Sequence, residues 1–576
     1  MITSTLDAAQ ELAVAADPTQ ATVITAGPGS GKSHVVGELS RQLVVDHGLW
    51  PDEILVVSFS RAAVQVVNDR TSDIVDEGSS VSTATIDSLA ARVIREQGHE
   101  EPVLTSFDNT VMAAKDILAH GAEGGYPFEF QHVIIDEVQD VVGVRAEFVC
   151  ELLKAAVAGG AGFTLLGDPL QSLYDFQMEG RHNWTCTDFL DRVDELFSPT
   201  HIHLTGDYRS ITPDARQISS LRSDLIALND DERLRRLRSA VANLAPLGPL
   251  DDDALETIAG WPGTTALLCD NNARAGLVAD QLGRAGIPSR LATAAEKTPL
   301  PAWIAQCLGD VPTRSIPRDV FLDRARSVGV EEPEAAWREL ITIADSDRVL
   351  DIPTLAGRLT RRSITTFPPN ATAPLVVSTV HRAKGLEFDN VVLIDPDDWW
   401  RPDEDQSRIA RMLYVALSRA HTRVSYTRDY APHGWFKARV GSGETMWVHG
   451  PRGRRGGING LLMEPSLARA LGASATLSNA VIGETVAWED GDDIEDVDGD
   501  LLPSWVATVS GTPVARSGDV FGRFMATKSR RTRPLLRGGH VEGLETVVGP
   551  ASSTPGGKHG LWLGARISGV IDLKWR

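Results

Sequence analysis

Short apolar runs alternate with longer segments in which apolar residues recur every three to four positions, and this grammar holds through the first 210 residues. The runs Ala21 to Thr25, Ile54 to Ser58, His132 to Ile135 and Thr164 to Leu166 have the length of buried strands. After the first of them, Val35, Val36, Leu39, Leu43 and Val44 mark one face of a helix. Strands separated by helices predict a parallel sheet covered on both faces, where ligands gather at the carboxyl ends of the strands. A second series, Thr265 to Cys269, Leu375 to Ser378 and Val391 to Ile394, predicts a second lobe of the same kind. Between its parts, residues 292–372 read as helices broken by Pro301, Pro312, Pro317 and Pro353. Beyond about residue 440, β-like stretches such as Ser504 to Val509 and Leu561 to Leu573 stand among Gly/Arg-rich and acidic segments, which predicts an appended region.

The turn between the first strand and its helix reads Ala26-Gly27-Pro28-Gly29-Ser30-Gly31-Lys32-Ser33, followed by His34. Its three glycines let successive N–H groups point inward at phosphate oxygens. Lys32 then neutralises the β- and γ-phosphates, and the Ser33 hydroxyl can ligate Mg²⁺. After the strand ending at Ile135 comes Asp136-Glu137-Val138-Gln139-Asp140. Asp136 at such a strand end would hold the water shell of Mg²⁺, and Glu137 would orient and deprotonate an attacking water. A triphosphatase using ATP and Mg²⁺ is the expectation.

Composition narrows this further. A chain of 576 residues exceeds what one hydrophobic core supports, so several domains are expected. A net charge of −22 argues against indiscriminate binding to polyanions, so any nucleic-acid contact must use local grooves. Residues 489–500 hold eight carboxylates and no basic group, which reads as a linker. The basic clusters Arg452/Arg454/Arg455 and Lys528/Arg530/Arg531/Arg533/Arg537 lie on either side of it. Cys150, Cys186, Cys269 and Cys307 lack metal-ligand spacing and read as reduced, buried thiols. With no membrane-length apolar run and no basic signal-like start, a cytoplasmic location without a membrane partner is expected.

An ordered series of segments resembles the UvrD/PcrA/Rep group of superfamily 1 DNA helicases. Leu6-Asp7-Ala8-Ala9-Gln10 resembles its adenine-reading glutamine motif, and Val57-Ser58-Phe59-Ser60-Arg61-Ala62-Ala63 resembles TFTNxAA. Thr85-Ile86-Asp87-Ser88-Leu89-Ala90 is similar to TFHSLA, Gly167-Asp168-Pro169-Leu170-Gln171-Ser172-Leu173-Tyr174-Asp175-Phe176 to GDxxQSIYxF, and Asp207-Tyr208-Arg209-Ser210 to NYRS. Later, Thr379-Val380-His381-Arg382-Ala383-Lys384-Gly385-Leu386-Glu387-Phe388 resembles TxHxAKGLEF, and Tyr414-Val415-Ala416-Leu417-Ser418-Arg419-Ala420 resembles YVxxTRA.

The resemblance implies roles. Gln171 would sense the γ-phosphate, and Arg209 and Arg419 would stabilise its transition-state charge. Gln10 would read adenine, Tyr208 would stack on it, and Glu387 would contact nucleotide near the ribose. Phe59 and Phe176 are implied as stacking platforms for single-stranded DNA, with Ser88 and His381 in strand-contacting motifs. Asp87 replaces the family's histidine, Val138 a usual phenylalanine, and Arg408-Ile409 an acidic pair.

The fold so implied is α/β, with two RecA-like P-loop NTPase lobes, short mainly helical insertions and an appended C-terminal region with β-like segments. Residues 1–205 would form the first lobe, with a reduced insertion at about 93–130. Residues 206–291 and 373–440 would form the second, 292–372 a helical insertion, and 441–576 the appended region with acidic linker 489–500 and a basic tail. The implied activity is ATP-dependent helicase or translocase movement 3′ to 5′ on single-stranded DNA, with tailed duplexes as substrates. The alternative is a DNA-dependent ATPase that acts as a regulatory or docking subunit without unwinding alone, with a protein partner reached through the C-terminal region.

Overall fold

A computed structural model describes residues 6–15, 17–58, 81–96, 107–121, 129–173, 184–292, 300–346, 348–359, 375–400, 405–428, 437–441, 444–449, 459–464, 467–471, 477–478, 481–496, 499–528, 533–549 and 558–575. Phe59, Phe176 and the cluster Arg452/Arg454/Arg455 lie outside the described residues. Contacts divide the chain into two compact units, Met1–Asn243 with Trp400–Arg423, and Leu244–Trp399 with Val424–Arg576.

The first unit is built on a six-stranded parallel sheet. Its strands are β1 (Ala21–Ala26), β2 (Ile54–Ser58), β3 (Ser82–Thr85), β4 (His132–Ile135), β5 (Gly162–Gly167) and β6 (Thr200–Leu204), in the order β3-β2-β4-β5-β1-β6. Alternate residues of each strand feed two different cores, as a period of two requires. Val23, Leu55, Val57, Val133, Ile135, Phe163 and Leu165 join one, and Ile24, Ile54, Val56, Ile134 and Leu166 the other. The helices are α1 (Ala8–Val14), α2 (Lys32–Val45), α3 (Ile86–Glu96), α4 (Phe107–Gly121), α5 (Gly143–Ala158), α6 (Cys186–Phe197), α7 (Pro213–Ile226) and α8 (Asp230–Ala242). Because β4, β5 and β1 are neighbours, the turns that follow them open side by side at one sheet edge.

Helix Gln406–Leu417 also belongs to this unit, as do α7 and α8. The division therefore runs differently from the expected lobe boundaries, which assigned residues 206–243 and 400–423 to the second lobe. The physical reason is packing: α8 lies against helix Gln406–Leu417, and that helix lies against the turn after β5.

In the second unit a six-stranded sheet has the order β7-β15-β14-β8-β13-β9, from β7 (Ala245–Pro246), β8 (Thr265–Cys269), β9 (Ser289–Leu291), β13 (Leu375–Thr379), β14 (Phe388–Leu393) and β15 (Ala420–Tyr426). Strand β8 pairs in parallel with β13 and β14. Helices Ala302–Leu308, Arg318–Ser327, Pro333–Ala344 and Ile352–Leu359 form the expected helical segment, with a two-stranded addition of β11 (Ser315–Pro317) and β12 (Val349–Asp351). Trp303, Phe321 and Trp337 make its aromatic centre.

The C-terminal residues form an antiparallel sheet in the order β16-β17-β18-β26-β25-β20-β23-β24-β19. These are β16 (Lys437–Gly441), β17 (Glu444–His449), β18 (Gly460–Met463), β19 (Ala468–Ala470), β20 (Thr485–Asp490), β23 (Trp505–Val509), β24 (Thr512–Ser517), β25 (Leu535–Val548) and β26 (Leu561–Lys574), and β10 (Leu300–Pro301) pairs with β25. The expected C-terminal region with β-like segments thus forms a sheet of its own, and it packs within the second unit. Val570 N–H donates to Asp280 at 2.9 Å, and Leu291 N–H donates to Glu542 at 3.0 Å. Leu462 fills the space in which a side chain on Gly276 would lie.

The acidic run is a second departure from expectation. Rather than a linker, its described residues hold the end of β20 and β21 (Ile494–Glu495), which pairs antiparallel with β22 (Leu501–Leu502). Arg523 meets Asp496 at 3.2 Å and Arg533 pairs with Asp493, so cations from the supposed basic tail offset the charge of these two carboxylates. The four cysteines are buried and form no disulfide. Among the described residues no helix is long and apolar enough to cross a membrane.

Candidate functional site

At the carboxyl end of β1 the chain turns through Gly27 to Gly31 into α2, whose first residues are Lys32 and Ser33. Gly29 and Gly31 have φ of 74° and 83°, a backbone conformation that residues with a Cβ adopt only with strain, so the loop geometry requires glycine there. Lys32 Nζ lies 3.9 Å from Glu137 Oε1 and 3.5 Å from the carbonyl of Ala26. Ser30 closes the loop by donating to Gly27 O at 2.8 Å. His34 follows Ser33 in the first turn of α2.

The turn after β4 supplies the carboxylates. Asp136 is buried and its Oδ1 accepts the Glu137 N–H at 2.9 Å. Burial, and after it the charge of Glu137, raise the Asp136 pKa well above the carboxylate range, while Lys32 opposes the shift. Glu137 has φ of 55°, a left-handed conformation that costs a non-glycine residue about 1–3 kcal/mol and is typical of working sites. Its Oε2 accepts from Gln139 Nε2, whose own Oε1 accepts the Asp168 N–H at 3.0 Å. A buried carboxylate with a second one beside it, facing a loop lysine that Ser33 follows in sequence, is a donor set that a hard divalent cation suits, since its charge offsets that repulsion.

The turn after β5 completes the edge. Asp168 is fully buried, and its Oδ2 accepts from Gln171 Nε2 at 3.0 Å and from the Tyr414 hydroxyl at 3.1 Å. Burial, then the Asp168 charge, push the Tyr414 pKa well above that of a free phenol, so it stays a donor. Gln171 Oε1 accepts from Arg419 Nη2 at 2.9 Å, and Arg419 Nε donates to Val415 O at 3.1 Å. Arg209 donates from Nη1 to Ser418 O at 3.1 Å, with its Cβ against Gly29. Glu137, Gln139, Asp168, Gln171 and Arg419 thus form one hydrogen-bonded chain from the metal-side carboxylates to a buried guanidinium.

On the other side of the loop, Gln10 Nε2 donates to Ser30 O at 3.1 Å, and Tyr208 lies beside Gly31. The Tyr208 hydroxyl donates to Asp7 Oδ2 at 2.5 Å, which lowers the Asp7 pKa and raises that of Tyr208. Asp7 also caps α1 by accepting from the Ala9 and Gln10 N–H groups. An exposed aromatic ring and a glutamine are held together where a base would leave the phosphate loop.

Ser88 lies away from this cluster, in the turn that starts α3, donating to Thr85 O at 2.9 Å. Asp87 beside it pairs with Arg145 at 2.9 Å, so its charge is answered within the protein. His381 and Glu387 belong to the second unit, His381 in the short helix Val380–Ala383 and Glu387 exposed just before β14. Sequence reasoning gave no role to Asp168, Gln139, Tyr414 or Asp7. Asp168 and Tyr414 stood inside quoted motifs, but nothing local shows that residues 246 apart share a hydrogen bond.

Two family models match the chain in this order, an AAA domain over residues 10–177 and a UvrD-like helicase C-terminal domain over residues 374–425. A search of curated proteins finds no match. Among solved structures the chain is similar to the Pif1 helicase from Bacteroides in complex with ADP-AlF3 and ssDNA, at 14% identity and a TM-score of 0.33, covering 73% of this chain and 92% of that one.

Proposed function

We propose that this chain, a superfamily 1 helicase of the UvrD-like kind, moves 3′ to 5′ along single-stranded DNA by hydrolysing ATP at the loop Ala26–Ser33. The observation that carries the chemistry is the hydrogen-bonded chain from Glu137 to Arg419 beside Lys32. In this reading Lys32 and the loop N–H groups hold the phosphates, and Glu137 orients and deprotonates the attacking water. Gln171 senses the terminal phosphate, while Arg209 and Arg419 meet the charge that spreads over its oxygens, an effect worth about 10³–10⁵ in rate for arginines so placed. Ser33 and Asp136 would hold Mg²⁺, which when bound supplies neutralising charge to the phosphates. Gln10 and Tyr208 hold the adenine, with Glu387 near the ribose. Phe59, Ser88, Phe176 and His381 carry the strand contacts.

The direction rests on the likeness of the motifs to the UvrD/PcrA/Rep group. Strand displacement with ATP on 3′-tailed and 5′-tailed duplexes tests it. Opening of the 3′-tailed duplex alone is expected, and opening of the 5′-tailed duplex alone would reverse the assignment. Single-strand-stimulated hydrolysis without opening of either duplex would favour the regulatory or docking subunit instead.

A further inference from the structure

Arg222, on α7, carries its side chain to the start of the phosphate loop. A Cβ placed on Gly27 would lie 2.4 Å from Arg222 Cδ and 2.8 Å from its Nε, so the arginine stem rests directly on the loop backbone. The side chain is only 14% exposed, and Nε and Nη2 are buried without a hydrogen-bond partner. Nε lies 3.5 Å from Asp168 Oδ1, close enough for charge attraction and too long for a good hydrogen bond. Asp168 is already served, by the Leu170 N–H at 3.3 Å, Gln171 Nε2 and the Tyr414 hydroxyl.

Two buried guanidinium N–H groups without acceptors are costly. Planar N–H donors of this kind suit the oxygens of a phosphate or a carboxylate, and beside a phosphate-binding loop, with Asp168 already served, phosphate is the ligand group at hand. We propose that Arg222 is a further phosphate-contacting arginine, which binds the terminal phosphate of the nucleoside triphosphate and in doing so relaxes its hold on Asp168. The inference rests on the reading of Ala26–Ser33 as a triphosphate site, and adds a residue outside the motifs that suggested that reading. Asp168 accepts from Gln171, and Gln171 accepts from Arg419, so the loss of Arg222 from Asp168 is passed to the same chain. The site then distinguishes triphosphate from diphosphate through two arginines that reach the loop by separate routes, Arg209 over Gly29 and Arg222 over Gly27, with Arg419 joined to Arg222 through Gln171 and Asp168.

The test compares binding of ATPγS and ADP to the full chain, wild type, Arg222→Gln and Arg222→Lys. The Gln variant is expected to weaken ATPγS at least about tenfold while changing ADP by less than about threefold, with partial recovery in the Lys variant. Equal losses for both nucleotides, or no loss, would overturn the proposal, since a mere counter-ion to Asp168 does not discriminate between them. Should the variants fold poorly, phenylglyoxal labelling of the wild-type protein reads the same point. Protection of Arg222 by ATPγS and not by ADP supports it, and equal labelling in both overturns it. A wild-type chain that binds neither nucleotide would instead sink the triphosphate reading itself.

Discussion

His132 shows how a single buried residue sets a condition on the whole sheet. Its ring lies in β4 with Nδ1 2.7 Å from Pro18 O and Nε2 3.0 Å from Thr164 Oγ1, an arrangement that a neutral ring satisfies at both nitrogens. Burial lowers its pKa from 6.5 to about 4. The unfolded chain therefore takes up this proton at higher pH than the folded one. The associated stability is complete above pH 6.5 and is lost as pH falls through about 4, by roughly 3 kcal/mol in total. Urea midpoints at pH 7.5 and 4.5 should show this loss in the wild type and a smaller one in His132→Gln; equal losses in the two would refute it. The same scale explains what was legible in the sequence. Lys32 and Glu137 belong to short motifs whose neighbours in sequence are their neighbours in space. Arg222 and Gly27 are not, and no local pattern distinguishes this arginine from Arg216, the other cation of α7.

At the scale of elements, the C-terminal strands decide how the second unit is held together. Helix Asn272–Arg284 offers Asp280 to the backbone of β26 and accommodates Leu462 of β18 at Gly276. Glu542 of β25 accepts from Leu291 at the end of β9, and the next carbonyl, that of Ala292, accepts from Arg382 at 2.8 Å. The hairpin thus reaches the segment Thr379–Phe388 through one intervening strand. A chain ending at residue 440 should therefore lose cooperative thermal unfolding of its second unit, because burial of Leu462, the Val570 N–H that Asp280 accepts and the Glu542 acceptor of the Leu291 N–H go together. A truncated chain that melts like the full one would contradict this. The strands themselves were legible from apolar runs. Their packing against the rest of the second unit was not, since Asp280 and Val570 are 290 residues apart and the acidic run between them reads in isolation as a solvated linker.

At the scale of the molecule, the parallel sheet of the first unit brings three turns from β1, β4 and β5 to one edge, and Lys32, Ser33, Asp136, Glu137 and Gln171 stand there because of that strand order. The α/β architecture was readable from periodicity alone. The division into units was not, because the packing of α8 on helix Gln406–Leu417 joins segments more than 160 residues apart. The central claim is that single-stranded DNA drives ATP hydrolysis by Glu137 at this edge. The most direct measurement is steady-state hydrolysis with and without single-stranded DNA, alongside ATPγS binding, in wild type and Glu137→Gln. The account predicts stimulation in the wild type and a fall in kcat of about 10²–10⁴ in the variant, with ATPγS still bound. Undiminished hydrolysis in Glu137→Gln, or hydrolysis indifferent to DNA in the wild type, would contradict it.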